Sequence, residues 1–141
     1  MDIDLRKIQD FFAADRFAAG AGITVEAAAP ERVVCAMAVT PRHLNAAGGV
    51  QGGAIFTLAD LAFAVHSNLG LAMGASSGVT VGQSNSISFL RAPRGPKLKA
   101  CSSCLSRGRN ISVYHVEVTD DEGLVAVMTG SGFTKDSSGA R

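Results

Sequence analysis

The spacing of apolar positions changes period several times along the chain. Leu5, Ile8, Phe11 and Phe12 recur at helical spacing behind Asp4, which predicts an amphipathic helix over 4–15, broken by the glycines at 20–22. Residues 23–29 and 32–40 read as two strands with Pro30–Arg32 as their turn. A polar, glycine-rich loop over 41–52 leads into a segment, about Gly53 to Leu69, that is apolar nearly all round, the pattern of a core helix. A loose stretch rich in Gly, Ala and Ser covers 70–78. Three strands follow at 79–91, 97–106 and 111–120, and a fourth at 124–134; turn formers stand between them at 92–96, 107–110 and 120–123. Residues 135–141 read as a polar tail. This order predicts an α+β fold over 1–141, a single domain in which a curved antiparallel sheet wraps around one long central helix.

With 141 residues, 47% hydrophobic and 18% charged, the chain can build a substantial core and is not of disordered type. Its formal net charge of +1, with no basic arm or stripe, argues against nucleic acid and membrane surfaces as partners. The polar N-terminus and the absence of a spanning apolar run predict a soluble, cytoplasmic protein. Three cysteines fit reduced thiols. Cys101 and Cys104 form a C-x-x-C, but no second ligand pair follows and the segment reads as strand, where residues three apart face opposite ways. No metal and no cofactor are expected.

The stretch from His43 to Asn68 carries the candidate chemistry. Asp60 lies in the middle of the apolar helix, and an ionised carboxylate there is costly unless something pairs with it or uses it. Gly52 and Gly53 lie where free backbone amides and the positive end of the helix dipole face outward. Together they point to acyl-transfer or hydrolytic chemistry. Gly53, Thr57, Asp60 and Ala64 share one helix face. Yet Gly52 and Asp60 are eight residues apart, roughly 12 Å of helix rise, while donor and base must both lie about 3 Å from one reacting group. Two antiparallel copies of the helix would bring Gly52 of one chain to Asp60 of the other, which predicts an obligate dimer.

The residues His43, Asn45, Gly48, Gln51, Gly52 and Gly53, followed by Leu58, Asp60 and Ala62, resemble the loop–helix motif of the hotdog-fold PaaI-like acyl-CoA thioesterases; Ile87–Arg91 resembles that family's strand ending in Phe-Leu-Arg. The resemblance covers nearly the whole chain and implies a homodimer with sites at the subunit interface, often paired into a homotetramer. Gln51 stands where the family has histidine and cannot titrate. Gly82 stands where some relatives carry Ser or Thr near the attacking water; Thr80 and Ser84 flank it on the same strand face unless a bulge shifts the register.

The resemblance implies hydrolysis of a CoA thioester, of phenylacetyl, aryl or short-to-medium acyl type. The Gly52 amide, with Gly53, would polarise the carbonyl. Asp60 would be general base or nucleophile, two roles the sequence leaves open. Asn45 and Gln51 would order the loop or the water. Arg107, Gly108, Arg109 and Asn110 form a turn matching one that contacts CoA in relatives; Phe89 would pack on pantetheine or adenine, and Arg91, Arg94 and Lys135 are further cations. Against these stand plainer readings: Asp60 as a structural acid, the glycines as a tight helix entry, Asn45 as a loop former, the arginine turn as a solvated tip, and His43, His66 and His115 as structural, His66 favoured as a partial cation near a helix C-terminus. A non-catalytic acyl-CoA sensor is the alternative function, motivated by Gln51 and Gly82. Hydratase chemistry lacks the Asp that it would need near His43.

Overall fold

The computed structural model describes residues 2–135. Helices α1 (Leu5–Phe12) and α2 (Arg16–Gly20) precede strands β1 (Ile23–Ala29) and β2 (Arg32–Ala38). A 3-10 turn at Pro41–His43 leads to α3 (Gly52–Ser67), the four-residue α4 (Leu69–Ala72), then β3 (Val79–Phe89), β4 (Lys97–Arg107), β5 (Ile111–Asp120) and β6 (Gly123–Lys135). The expected N-terminal helix ends early, at Phe12, and a second helix not foreseen in the sequence follows it: Asp4 caps the first through Lys7 N–H, and Asp15 starts the second by accepting from Ala18 N–H at 3.1 Å. The central helix ends two residues earlier than its apolar pattern suggests, and part of the expected loose connection is α4.

The six strands form one antiparallel sheet in the order β1-β2-β4-β5-β6-β3. α3 connects β2 to β3 and lies against β2, β4 and β5. Alternate residues of the central strands face it: Leu98, Ala100 and Ser102 on β4, Tyr114, Val116 and Val118 on β5, all fully buried. Leu58, Ala59, Ala62 and Val65 of α3 are likewise buried, so the all-round apolar pattern reflects a helix enclosed on most sides. Among the described residues no helix is long and apolar enough to cross a membrane.

Among the described residues every buried side-chain nitrogen and oxygen has a hydrogen-bond partner. His66 is 1% exposed; its Nδ1 lies 2.9 Å from Ser102 Oγ and its Nε2 2.8 Å from Pro30 O. Nε2–H donating to the carbonyl leaves Nδ1 to accept from the serine. Burial lowers its pKa, which opposes the positive charge that a helix end would favour, and the two hydrogen bonds make His66 a structural ring, as expected. His43 also ties the chain together: Thr40 N–H donates to Nδ1 at 3.0 Å, and Nε2 lies 2.7 Å from Ala21 O. Cys101 accepts from Arg32 Nε, and all three thiols are free.

β3 is an edge strand of eleven residues with neither charge nor proline. Thr80 is its one buried residue, while Val79, Val81 and Phe89 are exposed. Such an uncharged edge is a template for pairing with another strand.

Candidate functional site at the entrance of the central helix

Gln51 is the N-cap of α3: its Oε1 accepts from Ala54 N–H at 3.2 Å, and Gln51 O accepts from the same amide at 2.9 Å. That leaves the amides of Gly52 and Gly53, the first two of the helix, without an acceptor among the described residues. Both glycines sit in close quarters. A Cβ on Gly52 would stand 3.2 Å from the Phe89 ring, and one on Gly53 would stand 2.5 Å from Gln51 Oε1. The helix entrance separates two cavities. Gly53 faces one of about 620 Å³, bordered by α2 and the 3-10 turn. Gly52 faces one of about 320 Å³, bordered by Phe89 and Leu90. Two unpaired amides at a helix N-terminus between two cavities can bind a carbonyl oxygen as charge develops on it.

Along the same helix Gly53, Thr57, Asp60, Ala64 and Ser67 form the one stripe that the core does not cover. The Asp60 carboxylate is half-buried on this stripe and makes no hydrogen bond or ion pair among the described residues. Burial raises its pKa above the ordinary carboxylate value, and the negative charge of Asp15 adds to the shift. Thr57 is turned inward on its own helix, its hydroxyl donating to Gly53 O at 2.7 Å.

The remaining sequence candidates divide. Asn45 organises the loop: its Oδ1 accepts from Ala47 N–H at 2.9 Å and Gly49 N–H at 3.1 Å, and its backbone N–H donates to Gly49 O. Gly48 takes φ +89° in the same turn, a conformation that glycine adopts without strain. Phe89 reaches the helix entrance. Arg91 does not offer a free cation: its guanidinium donates to both oxygens of Asp120, at 2.8 and 2.6 Å, and to Gly123 O.

On β3 a bulge separates Gly82 from Ser84. Thr80, Gly82 and Asn85 pair with Thr134, Gly132 and Gly130, whereas Ser84 pairs with Ser131. Ser84 therefore points to the opposite face from Gly82, correcting the expectation that Thr80 and Ser84 share a face. Thr80 is held structurally, its hydroxyl 2.7 Å from Thr134 Oγ1 and its backbone bonded on both sides by Asn68. Asn85 is the polar residue that the bulge carries to the inner face beside Gly82 and Phe63. The sequence reading missed it, because strict alternation places it outward.

The arginine turn lies at the other end of α3. Arg107 lines a cavity with His66 and Asn68 and donates to Tyr114 OH at 3.0 Å; Arg109 and Asn110 line the neighbouring one with Ser76 and Gly78. Gly108 closes the turn by donating to Ile111 O. The sixteen-residue helix puts roughly 22 Å between this turn and Gly52, so one chain does not bring the turn to its own helix entrance.

A six-stranded antiparallel sheet around a helix with free N-terminal amides is the architecture of a thioesterase class. The chain belongs to the thioesterase superfamily, whose sequence model matches residues 47–127. A Deinococcus radiodurans protein named "Putative esterase" is 38% identical over 109 residues, spanning 76% of this chain and 70% of that one. Among solved structures, a mutant of the phenylacetic acid degradation protein PaaI from Thermus thermophilus is 32% identical, with TM-score 0.75 over 84% of this chain and 98% of that one. A thioesterase from Haemophilus influenzae superposes with TM-score 0.85 at 22% identity, covering 96% and 93% of the two chains, which shows the shared hotdog fold.

Proposed function

We propose that the protein is an acyl-CoA thioesterase, releasing free acid and CoA, with each active site built by two chains. The observation that carries this reading is Asp60, a half-buried carboxylate without a partner on the one uncovered face of a helix whose first two amides are also unpartnered. Water attacks the thioester carbon. The carbonyl oxygen lies at the Gly52 amide, with Gly53 adjacent, and negative charge developing on it is held by these donors and the helix dipole. Asp60 of the second chain takes the proton of the water as general base; direct attack to form a mixed anhydride is the other role open to it. The thiolate leaves and is protonated.

Three features support the dimer. Gly52 and Asp60 stand too far apart on one helix to meet one carbonyl. The uncovered stripe of α3 and the uncharged edge of β3 would both be closed by a second copy. A twofold pairing also carries the partner's arginine turn, at the far end of its helix, toward the opposite helix entrance, where Arg107, Gly108, Arg109 and Asn110 would meet CoA phosphates and Phe89 its pantetheine arm. Further pairing into a homotetramer, the absence of a cofactor and a cytoplasmic location belong to the same proposal.

The test is steady-state thiol release from phenylacetyl-, hydroxybenzoyl- and short and medium fatty acyl-CoA by wild type and Asp60→Asn. Turnover that falls by orders of magnitude in Asp60→Asn is the expected result. Binding of the esters without turnover in either protein would instead make this an acyl-CoA sensor.

A further inference from the structure

The cavity on the Gly53 side of the helix entrance carries more charge than a purely apolar acyl group needs. Arg16, at the start of α2, and Arg42, in the 3-10 turn, both line it, and Phe17, 77% exposed, supplies an apolar wall. Neither guanidinium has an ion-pair or hydrogen-bond partner among the described residues. By contrast, Arg91, Arg94, Lys97 and Lys99 all pair with carboxylates. Asp15, next to Arg16 in sequence, caps α2 through the Ala18 amide and keeps its charge, which is felt at Asp60, but it makes no ion pair with either guanidinium among the described residues. Two arginines at the rim of one cavity, on two different elements, form a divided cationic site that fits a carboxylate better than a neutral chain.

The position decides which part of the substrate would reach them. The cavity begins at Gly53 and Thr57, within a turn or so of the amides that face the carbonyl and on the stripe where the second chain would complete its wall; within one chain it measures about 620 Å³, room for an acyl group. The pantetheine arm of CoA has two amide links between sulfur and phosphate, so the phosphates lie well beyond this cavity. The second, smaller cavity, at Phe89, opens on the other side of Gly52 and offers the arm its own exit.

Building on the thioesterase reading, we infer that the enzyme prefers acyl groups ending in a carboxylate, that is, CoA monothioesters of dicarboxylic acids, with Arg16 and Arg42 holding the distal carboxylate. The reaction is unchanged: water cleaves the thioester and the product is a free diacid. Arg16 and Arg42 are specificity residues that never touch the reacting carbonyl.

The experiment compares kcat/KM for hexanoyl-CoA and for the monothioester of adipic acid, two six-carbon acyl groups that differ in the terminal carboxylate, in wild type, Arg16→Ala, Arg42→Ala and the double variant. Wild type is expected to favour the carboxylated ester, and the double variant to lose at least about tenfold of that preference, the size of a charge-assisted hydrogen bond. Charge reversal, Arg42→Glu, should turn preference toward the neutral ester. An equal wild-type response to both esters, or a ratio that the variants leave unaltered, overturns the inference while the thioesterase reading stands. Loss on both esters in parallel with weaker inhibition by free CoA would assign the arginines to the CoA arm, also overturning it. No turnover of either ester or of phenylacetyl-CoA would remove the thioesterase reading and this inference with it.

Discussion

Gly53 and Gln51 form a single device: the Gln51 oxygen that accepts the Ala54 amide at 3.2 Å occupies the space that a Cβ on Gly53 would need, 2.5 Å away. The missing side chain keeps the cap in place, and the cap, by satisfying Ala54, leaves the two glycine amides as the free donors. Gly53→Ala should therefore act mainly on catalysis. The contact is with the end of a flexible side chain, so the cost in stability is about that of a helix cap, ~1 kcal/mol. Displacing a carbonyl-binding donor lowers kcat on the order of 10²-fold. Denaturant melts beside thiol-release kinetics check both halves.

Asp60→Asn should abolish turnover and raise the melting temperature near neutral pH. The carboxyl pKa is raised in the folded chain by burial and by Asp15. What this group contributes to stability is therefore fully present below its unfolded pKa and is lost as pH rises through the folded value. An uncharged isostere removes that loss. The stabilisation should shrink as pH is lowered toward 4, read by melting curves across pH.

The pH profile of kcat/KM follows from the same shift. If Asp60 acts deprotonated, activity falls on the acid side with an inflection above the ordinary Asp value of about 3.9. Asp15→Asn removes one cause of the shift and should move that inflection downward.

Asp120 behaves in the opposite sense. Arg91 grips both its oxygens, and the backbone amides of Arg94 and Glu122 add two more bonds, holding its carboxyl well below the usual range. Its contribution to stability is present above the unfolded pKa and is lost as pH falls through the folded one. Asp120→Asn should lower the melting temperature at pH 7, with the gap to wild type closing in strong acid.

The β3 edge predicts an association defect from a single charge. Ser86→Glu would place like charges near each other where two β3 strands pair, a destabilising arrangement. Light scattering should show weakened dimers, and activity should fall with the dimer fraction upon dilution.

The helix and the hairpins were legible because their apolar residues keep a fixed period over many residues. Asp60 and the double glycine stood out because each breaks an expectation of its surroundings. The second helix was hidden because five residues give no period to read, only the Asp15 cap. Asn85 was hidden because a bulge resets alternation without a sequence mark at Gln83. The idle arginines were invisible for another reason: whether Arg16, Arg42 or Arg91 is free depends on long-range pairing, and Arg91 meets Asp120 across 29 positions.

The claim that two chains share each site is tested most directly by mixing two inactive variants. Asp60→Asn lacks the base, and Gly52→Val blocks the carbonyl site with a side chain against Phe89. After unfolding and refolding together, half of the dimers are mixed, and each of these holds one intact site. The account predicts recovery of about a quarter of wild-type activity from an equal mixture. A mixture that stays as inactive as its two parents, with mixed dimers shown to form, would contradict it.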